Sequence, residues 1–174
     1  WFRNTIWIGN RKNIKKYIEI YNPTSEDILL DDYAFPQVFN GPNTPGQFDN
    51  DLNTFPPNAF VPTNGCYIIY HPDSSQDIIQ KVNNINVNNK MSFKYLSSGD
   101  DAIALVKRVA LNDSSVDFTY RGYAYKYIDW VGSFTNYPGN DNGWPVAGLA
   151  NITRNNTLIR KSNIYKGNPY PWSI

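Results

Sequence analysis

Turn signals punctuate this chain so closely that only short elements fit between them. Asn22-Pro23-Thr24-Ser25, Asn64-Gly65, His71-Pro72 and Gly99-Asp100-Asp101 each bound an apolar or aromatic run too brief for a helix. Residues 17–21 (Tyr-Ile-Glu-Ile-Tyr) alternate with period two: Ile18 and Ile20 face one side, Tyr17, Glu19 and Tyr21 the other. Residues 66–70 read as a buried strand, and the apolar continuity of 102–106 marks a central one. Further strands are expected within residues 4–9 (Ile6, Trp7, Ile8), 28–30, 33–35, 116–120, 123–130 and 157–161. Residues 75–82 form the one helix candidate, with Ser75 as cap, Asp77 in the first turn, and Ile78, Ile79 and Val82 on one face. Residues 36–57 lack periodicity and are rich in Asn, Gly and Pro, so they read as a long surface loop, functional or inserted.

Composition agrees with this pattern. Asn makes up roughly one residue in seven, the acids are nearly all Asp, and helix formers are thin. The strands with turns between them point to an all-β fold, a β-sandwich with long loops and at most one short helix. With 174 residues and no internal repeat or long linker, residues 1–174 are expected to form a single domain. Its core is expected to include Ile18, Ile20, Ile68, Ile103, Leu105, Val131 and Leu158. A mean hydropathy of −0.52 without a long apolar run excludes a transmembrane helix. Sixteen basic against 15 acidic residues, unclustered, argue against a dedicated nucleic-acid binder. One Cys (Cys66) and one His (His71) exclude an internal disulfide and any metal site built on several Cys or His. Because the sequence starts at Trp1 rather than Met, it is expected to be a processed product or an excised domain.

Four segments, in order, resemble the lamin-tail domain family in its bacterial or viral extracellular-type branch. Residues 16–24 (Lys-Tyr-Ile-Glu-Ile-Tyr-Asn-Pro-Thr), continued by 28–33, are similar to that family's "IELYN" strand, and 61–70 to its "l.pG.y.vi" strand. Residues 93–106, with Gly99-Asp100-Asp101-Ala102-Ile103-Ala104-Leu105, resemble the "fnGdDaiaL" signature. Ile128-Asp129-Trp130-Val131-Gly132, Gly143-Trp144 and Thr157-Leu158-Ile159-Arg160-Lys161 resemble the "iDviG … W … tLvRk" ending. The likeness spans residues 16–161; the 36–57 loop, the Tyr-rich 115–127 segment and the 162–174 tail depart from the pattern. It implies an immunoglobulin-like β-sandwich and a non-enzymatic module that contacts partners or accompanies secreted enzymes. Fold analogy alone does not fix function.

Chemistry-bearing residues are sparse. Asp100-Asp101 is the most chemical-looking pair, but neighbours on a strand point to opposite faces, and a turn-and-cap role is the default. Asp49 and Asp51, with Asn50 and Asn53, hint loosely at Ca²⁺ yet lack the Gly and bidentate Glu of a calcium loop. The metal expectation is therefore none, and no cofactor is implied. His71 with Asp73, Ser74 and Ser75 lacks every motif of a hydrolase triad, and Cys66 is expected to be a buried, inert thiol. Glu19 and Arg160 suit a cross-strand ion pair. Asn112, Asn151 and Asn155 head glycosylation sequons that matter only if the protein is exported.

Tyr123, Tyr125 and Tyr127 share one strand face and are the candidate binding residues, either as a contact strip or as a half-buried ladder under the 36–57 loop. The expected function is a non-enzymatic binding or assembly module on a secreted protein, a cell surface or a particle surface. Its expected partners are proteins, other copies of itself included. A carbohydrate-binding module and an accessory domain of a secreted nuclease or hydrolase are the alternatives.

Overall fold

The computed structural model describes residues 2–6, 15–96, 99–139, 142–161 and 163–172, with the backbone alone at 2–6. Among them are strands β1 (Phe2–Ile6), β2 (Tyr17–Tyr21), β3 (Ile28–Leu29), β4 (Tyr33–Ala34), β5 (Gln37–Val38), β6 (Phe60–Val61), β7 (Cys66–Tyr70), β8 (Lys90–Ser92), β9 (Ala102–Val109), β10 (Phe118–Tyr120), β11 (Tyr123–Val131) and β12 (Thr157–Ile159). One α-helix, α1 (Gln76–Asn83), and a short 3-10 turn (Val87–Asn89) complete the described elements. Among the described residues the fold is all-β with a single short helix.

The strands form two main sheets. In the first the order is β12-β1-β2-β7-β8, antiparallel except for the parallel β7–β8 pair. In the second it is β10-β11-β9-β4, with β5 also paired to β9. β3 and β6 make a separate two-stranded ribbon. The inner faces meet in one core, where Ile18, Ile20, Tyr67 and Ile69 of the first sheet join Ile103, Leu105 and Val131 of the second. Phe35 and Leu30 seal it from the connecting loops. This is the sandwich-like arrangement that alternating short strands demand, since each must bury one face.

Part of each outer face is also covered. α1 lays Ile78 and Val82 over Ile68 on the outside of the first sheet. On the outside of the second, Ala102, Ala104, Val106 and Trp130 are covered by Phe134 and Trp144, with Phe48 and Leu52 at the margin. Ile68 is therefore not a residue of the central core as its strand suggested. Residues 66–70 are apolar on both faces, so sequence alone could not phase them, and pairing sets Ile69 and Tyr67 inward opposite Ile18 and Ile20. Leu158 is half-buried on the edge strand β12, outside the core. The first strand runs Phe2–Ile6, earlier than expected, and Trp7 and Ile8 lie outside the described residues.

Residues 39–57 are the irregular, largely exposed loop expected, but the segment is anchored by a buried start and by bonds back to the second sheet. Gln37 and Val38 are buried in β5, Ala34 bridges Thr54, and the Asp49 and Phe35 backbone N–H groups donate to the Gln37 and Asn53 carbonyls. Two-residue strands carry no periodicity, which is why the segment reads as structureless in sequence. In β11, Tyr127 pairs with Val106 and Asp129 with Leu105, leaving Ile128 as a bulge. The extra residue turns Asp129 inward beside Val131 while Trp130 faces out.

Candidate functional site

Several motif residues singled out in the sequence fall into two internal hydrogen-bonded clusters, one at Asp101 and Trp144 and one at Asp129 and Arg160. Asp101 is 2% exposed; its Oδ2 accepts from Gln37 Nε2 at 3.0 Å and its Oδ1 from the Asn40 N–H at 3.1 Å. The Asp101 carbonyl accepts from the Trp144 indole Nε1 at 2.9 Å. Thr153 Oγ1 accepts the Trp144 N–H at 2.5 Å and donates to the Gly99 carbonyl at 2.6 Å. Gly132 has φ +79° and carries no side chain where the indole passes: a Cβ there would stand 2.5 Å from Trp144 Cε2. Asp129 is fully buried, and its Oδ1 accepts from Arg160 Nη2 and the Asn168 N–H, each at 2.9 Å. Arg160 thus pairs with Asp129 and not with Glu19 as the sequence suggested; the bulge at Ile128 is what aims Asp129 at it. Glu19 Oε2 instead accepts from the Cys66 thiol at 4.0 Å, and Cys66 is half-buried rather than enclosed.

The loosely suggested ligands each have a structural task. Asp49 accepts from the Phe39 N–H at 2.7 Å and Asn43 Nδ2 at 2.8 Å. Asp51 accepts from the Tyr120 hydroxyl at 2.8 Å and the Leu52 N–H at 2.9 Å, and pairs with Arg121 at 2.8 Å. Asp100 is half-buried, and both it and Asp101 act electrostatically on Lys16. No group of three or more His, Cys, Asp or Glu suited to a metal occurs among the described residues. His71 Nδ1 accepts from the Asp73 N–H at 3.1 Å, while Ser74 Oγ donates to the Lys16 carbonyl at 3.3 Å, so the hydroxyl is not aimed at the imidazole. Burial, helped by Lys16, holds the His71 imidazole below its ordinary value. Of the sequon residues, Asn112, Asn151 and Asn155 are all exposed, but the Thr153 of the second sequon is buried in the Trp144 cluster above.

The β10–β11 hairpin carries an aromatic face. Arg121 (φ +48°) and Gly122 (φ +83°) make a two-residue turn of the kind that joins tightly twisted strands. That turn sets Tyr120 directly opposite Tyr123 and Phe118 opposite Tyr125. The three candidate tyrosines differ in placement. Tyr123 is 52% exposed, with the Arg108 guanidinium 5.2 Å from its ring centre. Tyr125 is half-buried and stacks on Phe118 at 5.3 Å and 16°. Tyr127 is wedged between Phe118 and Trp130, and burial pushes its phenol up to about 12.

Around these rings, charges alternate. Arg108 pairs with Asp32, and Arg121 lies 5.4 Å from the Tyr120 ring centre while pairing with Asp51. The hydrogen bond to Asp51 raises the Tyr120 phenol and lowers the Asp51 carboxyl. Phe48 from the 36–57 segment meets Phe118 and Tyr120 edge-on, and a hollow of about 460 Å³ opens between them beside Gln47 and Asn50. Such an array of flat apolar rings and paired charges suits contact with protein or glycan. Tyr120, Arg121, Arg108 and Asp32 were not singled out from sequence. The signal was present in the alternation of Phe118 and Tyr120 ahead of Arg121-Gly122. Compared with protein-family models, curated proteins and solved structures, the chain matches none of them.

Proposed function

We propose that this chain is a non-enzymatic binding module, of immunoglobulin-like, lamin-tail-like build, that makes protein–protein contacts through the β10–β11 hairpin. The observation that carries the reading is the exposed Tyr123 ring, held between Arg108 and the neighbouring Tyr120 at a tight turn. A large rigid ring with a cation against it gives contact area at low entropic cost. The lamin-tail reading is supported by the mutual bonding of its motif residues, Asp101 with Trp144 and Asp129 with Arg160. A place on a secreted protein, a cell surface or a particle surface belongs to the same proposal, with another copy of the chain as the first partner to test.

The test is sedimentation of the wild type and of Tyr123→Ser combined with Arg121→Ala. The expected result is concentration-dependent association that the double variant weakens at least tenfold at unchanged melting temperature. A wild type that stays monomeric at every concentration sinks the self-contact reading. Glycan binding is the second reading, favoured by the Asp32–Arg108 and Asp51–Arg121 pairs beside the rings, where sugar hydroxyls could bond. A glycan array that lights up with wild type and goes dark with Tyr123→Ser would select it.

A further inference from the structure

A second hollow lies beside the inward side of β11. A cleft of about 530 Å³ lies between β2, the β3–β6 ribbon and β11. The half-buried Ile28, Tyr33 and Ile128 line it, over a floor of the core residues Ile20, Leu30, Val61 and Leu105, each 2% exposed. Its roof is the 165–169 segment, which three contacts fix in place. Arg160 Nη1 donates to the Lys166 carbonyl at 3.1 Å, the Asn168 N–H to Asp129, and Trp130 Nε1 to the Pro169 carbonyl at 3.0 Å. Gly167 lies flat on the bulge: a Cβ there would stand 2.2 Å from the Ile128 carbonyl oxygen. The volume is in the range of small-molecule sites.

The charges around the cleft have one sign. Lys126 and Lys166 line it, and no carboxylate does among the described residues. Lys126 stands directly across from Lys107 on the inward face of the β9–β11 ladder. Like charges in opposed positions repel. Lys107 reaches to 5.4 Å from the ring centre of Tyr33, itself a wall of the cleft. The carboxylate acting on Lys126 is Asp113, whose Oδ1 already accepts from the Ser115 N–H and hydroxyl. Tyr21 and Tyr165 add phenols at the wall. A partly apolar cleft with Lys126 and Lys166 in its lining and Lys107 beside its Tyr33 wall complements an apolar body with an anionic head.

We propose that this cleft binds a small amphiphile with an anionic headgroup, its chain against Ile28, Tyr33 and Ile128 and its head against Lys126 and Lys107. The cleft shares Tyr127 with the hairpin hollow but is tested through Lys126 and Lys107, neither of which the hairpin reading uses.

The experiment is calorimetric titration of the wild-type chain with decanoate below its micelle concentration, alongside decanol and decyltrimethylammonium. Decanoate is expected to bind at a single site at least tenfold more tightly than the cationic analogue, with decanol between them. Lys126→Met is expected to weaken decanoate about tenfold and leave decanol unchanged. Lys107→Met serves as a second variant, and far-UV circular dichroism checks that both fold. Equal affinity for the anionic and cationic amphiphiles, no binding of decanoate, or an unaltered decanoate affinity in both folded variants would each overturn the proposal.

Discussion

Replacing Gly132 with Ala tests the Trp144 cluster most sharply. A non-glycine residue in the left-handed region costs about 1–2 kcal/mol on backbone grounds, and Gly132 has φ +79°. The added methyl would also lie 2.5 Å from Trp144 Cε2, 2.7 Å from Nε1 and 2.9 Å from Cζ2. Trp144 is 1% exposed and tied at both its indole and its backbone N–H, so the ring cannot retreat. Overpacking of this kind costs about 1–3 kcal/mol. The expected loss is therefore about 2–5 kcal/mol, read from urea unfolding followed by far-UV circular dichroism. In a Trp144→Leu background the three indole atoms are gone, and Gly132→Ala should cost only its backbone part. The two changes should thus be coupled by about 1–3 kcal/mol. Additivity within about 0.5 kcal/mol would show that the indole does not confine position 132.

Four further outcomes are expected. Ile103→Ala, at a fully buried residue between the sheets, should cost about 2–5 kcal/mol in the same assay. Asp129→Ala leaves Arg160 largely buried without its partner carboxylate and should cost about 3–5 kcal/mol. The Tyr127 phenol, raised by burial from 10.0 to about 12, favours its neutral form in the folded state. Its contribution to stability is complete below pH 10 and is lost as pH rises toward 12, so Tyr127→Phe should flatten that alkaline decline in denaturant midpoints. EDTA should leave the melting temperature unchanged, because Asp49, Asp51 and Asp101 already accept from protein donors; a fall of many degrees would make them calcium ligands.

How far the sequence spoke depended on contrast between neighbouring residues. β2 was legible because Glu19 separates Ile18 from Ile20, and both isoleucines lie in the central core. β7 has no such contrast: α1 covers its outer face, so Ile68 and Ile69 are both buried and only pairing tells them apart. The helix was legible from Asp77 and the spacing of Ile78 and Val82. Nothing local announces β5, whose partner β9 is far along the chain. The choice of Asp129 over Glu19 as partner for Arg160 rests on a bulge, a feature of pairing rather than of composition. For the tyrosines, how exposed each ring is depends on Phe118 and Trp130 of the hairpin strands and on Phe48, which the 36–57 segment brings in.

The seam between β1 and β12 has a consequence for how the protein is made. Asn4 pairs with Ile159 and Ile6 with Thr157, so the first sheet is closed by residues the ribosome delivers long after β1 has emerged. In that interval β1 can pair with β2 but offers its other edge, a template for any passing strand. A neighbouring nascent chain carries the complementary β12, and exchange between the two would give a swapped dimer with every native bond intact. Slow translation or crowded polysomes should therefore raise the yield of such dimers, whereas dilution during refolding should suppress them.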